Sequence, residues 1–309
     1  MSTLEGKAVV VTGAGRGLGA AFAVQAARYG AKVLVNDIDV ECAERTANTI
    51  RQHGGRAVVS GHTVTDPDQA QGIVQACVGA FGTVNGLVNN AALNYEALPW
   101  HDDPARVREL IEVNVLGVLY TGMAAAAVMA ESGGGSIVNI SSGASLGQRK
   151  LGAYASSKGA VASLTYSWAL DMEDVGIRVN AVCPLAHTRM VRKSERALRN
   201  CPPDRTPDRV APLVLYLLGD ASAGITGQMI RCNGRQLHII GQPYLKAPIL
   251  ERECWDYDSV YTAFDEVFGA HLEPYGLEKQ VPPRQRKWLR IPDASGGAAG
   301  GRVEPLRSA

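Results

Sequence analysis

Short β-branched runs alternate with amphipathic stretches along the first 235 residues. The run from Lys7 to Val11 leads through a glycine-rich turn into AAFAVQAARYGAKV, whose apolar residues recur at helical spacing. The alternation then repeats. AKVLVND is a strand ending on Asp37, a helix covers about Glu41 to His53, and RAVVSGHTVTDPD is a third strand and turn. A helix from Pro67 to Phe81 precedes the strand GLVNNAA, and VRELIEVNVLGVLYTGMAAAAVMAE keeps a long helical period. SIVNIS is the next strand, ASSKGAVASLTYSWALDM a helix, GIRVNAVCPLAHTRM a strand and loop, VAPLVLYLLGD a helix, and GITGQMIRCNGR a final strand at the sheet edge. Strands separated by helices predict one α/β doubly wound Rossmann domain over residues 1–235, with a parallel sheet of about seven strands and helices on both faces. Residues 236–292 form an extension, with helical spacing in Val260, Phe264, Val267 and Phe268, that reaches back to the substrate cleft or across to another subunit. Residues 293–309 are glycine-rich and predict a disordered tail.

Composition narrows the class. The chain has 309 residues, 46% of them hydrophobic, ample for a core. Its formal charge is +1 with both signs interspersed, so neither a nucleic-acid groove nor a polybasic membrane patch is expected. The six cysteines (42, 77, 183, 201, 232 and 254) form no C-x-x-C pair and have no histidine at metal spacing; reduced thiols of a cytoplasmic protein, without a metal site, are the expectation. The N-terminus enters a strand at once, leaving no room for a signal peptide, and no apolar run reaches the roughly 18 residues of a membrane span.

The candidate chemistry centres on SSGASLGQRKLGAYASSK, Ser141 to Lys158. Tyr154 and Lys158 are four residues apart and share one face of a helix. An ammonium roughly 4 Å from a phenol stabilises the phenolate by up to about 4 kcal/mol at an effective dielectric near 20, lowering its pKa from near 10 by about three units at most. Ser141, at the end of SIVNIS, brings a hydroxyl beside the same oxygen, a set suited to moving a proton on a carbinol or carbonyl oxygen. Near the N-terminus, Gly13 permits a tight turn, Gly17 the close approach of a pyrophosphate, and Gly19 close helix packing, with Leu18 in the helix's first turn among the phosphate-facing residues. Asp37 can accept from both ribose hydroxyls of an adenosine and repel a 2′-phosphate, which favours NAD; Arg16 is the counter-signal for NADP.

T-G-x-x-x-G-x-G, N-N-A, the helical Asn114, the serine and Y-x-x-x-K follow one another in an order and spacing that resembles the short-chain dehydrogenase/reductase family over about Leu4 to Gly234. The resemblance implies a catalytic tetrad of Asn114, Ser141, Tyr154 and Lys158, with Lys158 also binding the nicotinamide ribose and Asn114 bending its helix and holding a relay water. It implies NAD-dependent oxidation of a secondary alcohol, with an NADPH-dependent ketoreductase as the rival and a non-catalytic dinucleotide-binding protein as a third reading. Thr63 stands where an adenine-binding Asp is common, and Val64 would line the ring. Asn90 and Ala91 would shape the cofactor floor, with Ala92 in place of the usual glycine. Pro184 matches, Leu185 replaces a glycine, and Thr188 would hold the nicotinamide carboxamide. P-x-x-x-T-R-M looks like the hydroxyacyl-CoA dehydrogenase branch. Residues 191–209 are basic, either a lid or a solvated loop, and Arg192, Lys193, Arg196 and Arg199 there, with Arg189 just before them, could meet an anionic substrate. The two long apolar helices pack either in a homodimer or homotetramer or deep within the monomer.

Overall fold

The computed structural model describes residues 4–191, 198 and 201–280. Its strands are β1 (Ala8–Thr12), β2 (Lys32–Asn36), β3 (Arg56–Ser60), β4 (Gly86–Asn89), β5 (Gly135–Ile140), β6 (Ile177–Pro184), β7 (Met229–Cys232) and β8 (Leu237–Ile240). They form one sheet in the order β3-β2-β1-β4-β5-β6-β7-β8. The seven expected strands are parallel, and the eighth, from the segment read as extension, pairs antiparallel with β7. The turn between them is local chemistry. Asn233 Oδ1 accepts from the backbone N–H of Arg235 (3.0 Å) and Gln236 (2.8 Å), and Gly234 takes φ +80°. Asn233-Gly234 is a hairpin signal carried by the local sequence.

Helices α1 (Gly17–Arg28), α2 (Val40–Gln52), α3 (Pro67–Phe81), α4 (Pro104–Ile111), α5 (Gly117–Glu131), α6 (Gly152–Asp171) and α7 (Ala211–Leu218) cover the sheet, and α8 (Tyr257–Glu266) lies in the extension. Alternate residues of each strand go to opposite faces. Val9, Val11, Val33, Val35 and Val182 pack with α1 and α7, while Ala8, Val10, Leu34, Leu87 and Ile137 pack with α3 and α5. Burial on both faces is why the strands read as continuous apolar runs. Start signals are visible too: Asp66 caps α3 by accepting from Gln69 N–H at 2.9 Å, ahead of Pro67.

One sequence expectation is corrected. Pro104–Glu131 runs as a single 28-residue helical stretch, long and apolar enough to cross a membrane. A π turn at Glu112–Leu116 joins α4 to α5, so the apolar segment is longer than either helix alone. Leu110, Ala125 and Met129 are fully buried, with Ala125 and Met129 in the core beside α3. A buried polar chain ties this layer to the sheet. Asn89 Nδ2 donates to Asn139 Oδ1 (3.0 Å), Thr121 Oγ1 to Asn89 Oδ1 (2.7 Å), and Asn139 Nδ2 to Thr165 Oγ1 (3.0 Å), linking β4, α5, β5 and α6.

Candidate active site

Strand order reverses between β1 and β4, so their C-terminal ends open a crevice. Asn90 and Ala91, just past β4, are clipped to the glycine turn past β1. Asn90 Nδ2 donates to the carbonyls of Thr12 and Gly13, both at 3.0 Å, and Thr12 Oγ1 accepts from the N–H of Asn90 (3.0 Å) and Ala91 (3.2 Å). A Cβ on Gly13 would lie 2.8 Å from Ala91 Cα, and one on Gly19 would lie 2.6 Å from Asn90 Nδ2. A Cβ on Gly17, at φ +59°, would lie 3.7 Å from Thr188 Cγ2, so the loop after β6 returns over the glycine turn. Arg16 precedes α1 in an extended conformation with no side-chain cap, and no acidic residue occupies the first turn.

Asp37 Oδ2 accepts from Gly15 N–H (2.9 Å) and its Oδ1 from Asp39 N–H (3.0 Å). A Cβ on Gly15 would sit 2.8 Å from Asp37 Oδ2, so the carboxylate depends on that glycine. Arg16 pairs with Asp39. Thr63 shares a 2.9 Å hydrogen bond with Thr65 Oγ1, and the Val64 side chain is buried against Gly117. Pro184 ends β6 beside Cys232 of β7.

Ser141 follows β5, is buried, and donates from Oγ to the Lys158 carbonyl in α6 at 2.9 Å. Lys158 is 2% exposed, and its Nζ donates to Ile140 O at 2.7 Å and lies 5.8 Å from the centre of the Tyr154 ring. Tyr154 opens α6, one turn earlier. Within the chain's own atoms burial governs both groups: it pushes the Tyr154 phenol up to about 12, with a Ser142 hydrogen bond drawing it back, and pulls Lys158 down to about 8. The sequence reading gave the ammonium the larger effect on the phenol. Desolvation is the largest influence on both groups, and Lys158 Nζ is turned to Ile140 O. Asn114 lies in the π turn, fully buried. Its Oδ1 accepts from Leu93 N–H (2.7 Å), and its Nδ2 donates to Leu93 O (2.9 Å) and Ser157 Oγ (3.0 Å).

Residues 7–199 match the family model described as short chain dehydrogenase. The chain belongs to that family. It is an oxidoreductase acting on CH–OH groups. It is 35% identical over 246 residues to 2-(S)-hydroxypropyl-CoM dehydrogenase 3 of Xanthobacter autotrophicus, covering 75% of this chain and 96% of that protein. A short chain dehydrogenase from Mycobacterium avium superposes with a TM-score of 0.77 at 29% identity, over 91% of this chain and 98% of that one. A gluconate 5-dehydrogenase from Burkholderia cenocepacia, in complex with NADP and tartrate, gives 0.70 at 29% identity over 75% and 96%.

The residues present fit the dinucleotide the family binds. Glycines stand where a Cβ would collide, and the uncapped start of α1 leaves backbone donors for phosphate. The structure brings Gly13, Gly19, Asn90 and Ala91 together, sets Asp37 beside the turn, and gathers Ser141, Tyr154, Lys158 and Asn114 around the start of α6. The Val64 side chain is buried beside Gly117. Sequence reasoning missed Thr12, Gly15, Ser142 and Ser157. Gly15 was readable as the extra glycine of T-G-A-G-R-G-L-G, whereas the serines carry no signal beyond adjacency. Of the basic loop, Arg192, Lys193, Arg196 and Arg199 lie outside the described residues, as does the tail. The extension touches the turn after Ser142. Leu277 N–H donates to Gly147 O at 2.9 Å, next to Gly143–Leu146, the turn that follows Ser141 and Ser142.

Proposed function

We propose that the protein is an NAD-dependent dehydrogenase of secondary alcohols, with Tyr154, Ser141, Lys158 and Asn114 as its catalytic set. The observation that carries this reading is the convergence of a half-buried phenol and a buried amine beside Ser141, at the end of the sheet where the glycine turn opens. The bound dinucleotide supplies the two-electron acceptor at its nicotinamide ring. Tyr154 takes the hydroxyl proton of the substrate. Lys158 has two N–H donors beyond the one given to Ile140 O, and turning one toward the phenol offsets the burial that holds the phenol neutral. The Ser141 hydroxyl must leave the Lys158 carbonyl to donate to the substrate oxygen, a rotation about one bond. Asn114 fixes Leu93 and Ser157, and through them the floor and the catalytic helix, and keeps one carbonyl lone pair for a relay water.

Support for NAD comes from the end of β2. Asp37 is held by two backbone N–H groups, and Arg16, the cation of the glycine turn, is already paired with Asp39. Secondary alcohols are supported by the Xanthobacter relative, named for a 2-hydroxypropyl substrate. The NADP complex of the Burkholderia neighbour keeps the ketoreductase reading as the rival. Six cysteines outside any disulfide support a reducing, cytoplasmic setting, and exposed Met123 of α5 and Leu170 of α6 support a homo-oligomer.

Two measurements test the reading. Tyr154→Phe should abolish turnover while NADH affinity stays within about twofold; turnover within tenfold of wild type would rule out this base. In thermal-shift titrations at equal concentration NAD should raise Tm more than NADP, a ligand at 100 times its Kd adding about 2.7 kcal/mol. A larger shift with NADP would transfer the assignment to the ketoreductase.

A further inference from the structure

On the helix α6 side of the sheet, Ser141 begins a row that continues across β6, β7 and β8. Ser141 N–H donates to Val182 O at 2.8 Å, Cys183 pairs with Arg231, and Arg231 pairs with His238. Cys183, Ala181 and Met229 pack against Ala162 and Tyr166 of α6, so Arg231 and His238, alternating with Met229 and Ile240, face the same helix. Three polar atoms in this cluster are buried with no hydrogen-bond partner: Arg231 Nη1, His238 Nε2 and Tyr166 OH. All three can be donors. Each belongs to a residue that is itself only half-buried, so the cluster sits at an edge that solvent reaches.

The charge around them is one-sided. Burial holds the Arg231 guanidinium below its usual range, and Arg205, on the loop after β6, pushes the same way; among the described residues the opposing groups are the thiols of Cys183 and Cys232, with no carboxylate. Burial and Arg231 together lower His238. A buried cation normally has an anionic partner, and a guanidinium presents a planar fork suited to a carboxylate.

Building on the dehydrogenase reading, we propose that Arg231, with Tyr166 and His238, forms a subsite for a carboxylate carried by the alcohol substrate. Arg231 is two strands from Ser141, about 10 Å between main chains, so the substrate spans from the reacting carbinol at Ser141 and Tyr154 to an acid group several bonds away. Cys183, between them, is 1% exposed and packs against Ala162 and Tyr166 of α6.

The test uses the full chain with NAD and a length series of hydroxy acids, 3-hydroxybutyrate, 5-hydroxyhexanoate and 7-hydroxyoctanoate, each beside its methyl ester. The longer acids should exceed their esters at least tenfold in kcat/KM, and 3-hydroxybutyrate should show no preference. Arg231→Met should bring every ratio to about one by lowering kcat/KM for the longer acids, and Arg231→Lys should keep part of the preference. The same preference in Arg231→Met, or no acid preference at any length, overturns the subsite. Calorimetry of hexanoate against hexanamide reads the site without turnover, and Arg231-dependent hexanoate binding with no alcohol oxidised would uphold the subsite and overturn the dehydrogenase reading. If Arg231→Met does not fold, the Arg231→Lys ratios and the wild-type hexanoate preference decide alone.

Discussion

Lys158 shows how a single buried group sets function against stability. Its amine is fully enclosed, has one carbonyl acceptor in Ile140 O, and is pulled down to about 8. Below pH 8 the lysine is protonated in the folded and unfolded chains alike, so the folded state bears the full cost of a buried cation. Between pH 8 and the unfolded value near 10.5 the unfolded chain binds more protons, and stability rises with pH. Lys158→Met should therefore be inactive yet more stable than wild type at pH 7, by up to about 3 kcal/mol less the cost of orphaning Ile140 O, about 1 kcal/mol. The difference should shrink toward pH 10. Urea unfolding at pH 7 and 9.5 checks this, and a variant less stable at pH 7 with a pH-independent gap would contradict it. Residue identity and spacing were legible here: Y-x-x-x-K named both partners. The sign of the phenol's shift was not, because it depends on how deeply both groups are buried and on Ile140 O competing for the ammonium.

Among the elements, α5 and α6 must meet closely for Asn114 to reach Ser157. Gly122 makes this contact possible, since a Cβ there would overlap the Trp168 ring, 2.6 Å from its Cη2. Gly122→Ala should gain up to about 1 kcal/mol of helix propensity but lose about 1–3 kcal/mol to overpacking, so overpacking decides the sign. A lower Tm together with a reduced kcat is expected; a raised Tm would show that Trp168 moves aside freely. The π turn at Glu112–Leu116 belongs to the same scale. Its helical period was clear, but the shift of register around Asn114 comes from the bonds to Leu93 and Ser157 on separate segments. The Asn-Gly turn before β8 is the opposite case, a local signal that needed no tertiary contact.

For the whole molecule, the extension is where sequence left two options, the cleft or a neighbouring subunit. The structure sets Gly276 and Leu277 on the turn after Ser142: Leu277 donates to Gly147, and a Cβ on Gly147 would come within 3.2 Å of Gly276 Cα. The Mycobacterium avium structure, which covers 91% of this chain, extends past the length of the Rossmann domain, so the extension has a structural counterpart there. Leu277→Pro removes the N–H that Gly147 accepts from. It should raise KM for the alcohol several-fold while the NAD-induced thermal shift stays unchanged. An unaltered KM would mean the segment does not bear on the cleft.

Periodicity, glycine placement and the Ser-Tyr-Lys spacing determined the α/β class, the order of elements and the family, because each is carried by residues close in sequence. Tertiary structure decided that Arg16 is taken up by Asp39, that Asn89, Asn139 and Thr165 bind the layers together, that the C-terminal segment lies on the turn past Ser141, and that Arg231 stands unpartnered in the row of Ser141. These join residues far apart in the chain, and burial, which sets the charge state of every buried group, exists only once the layers have closed.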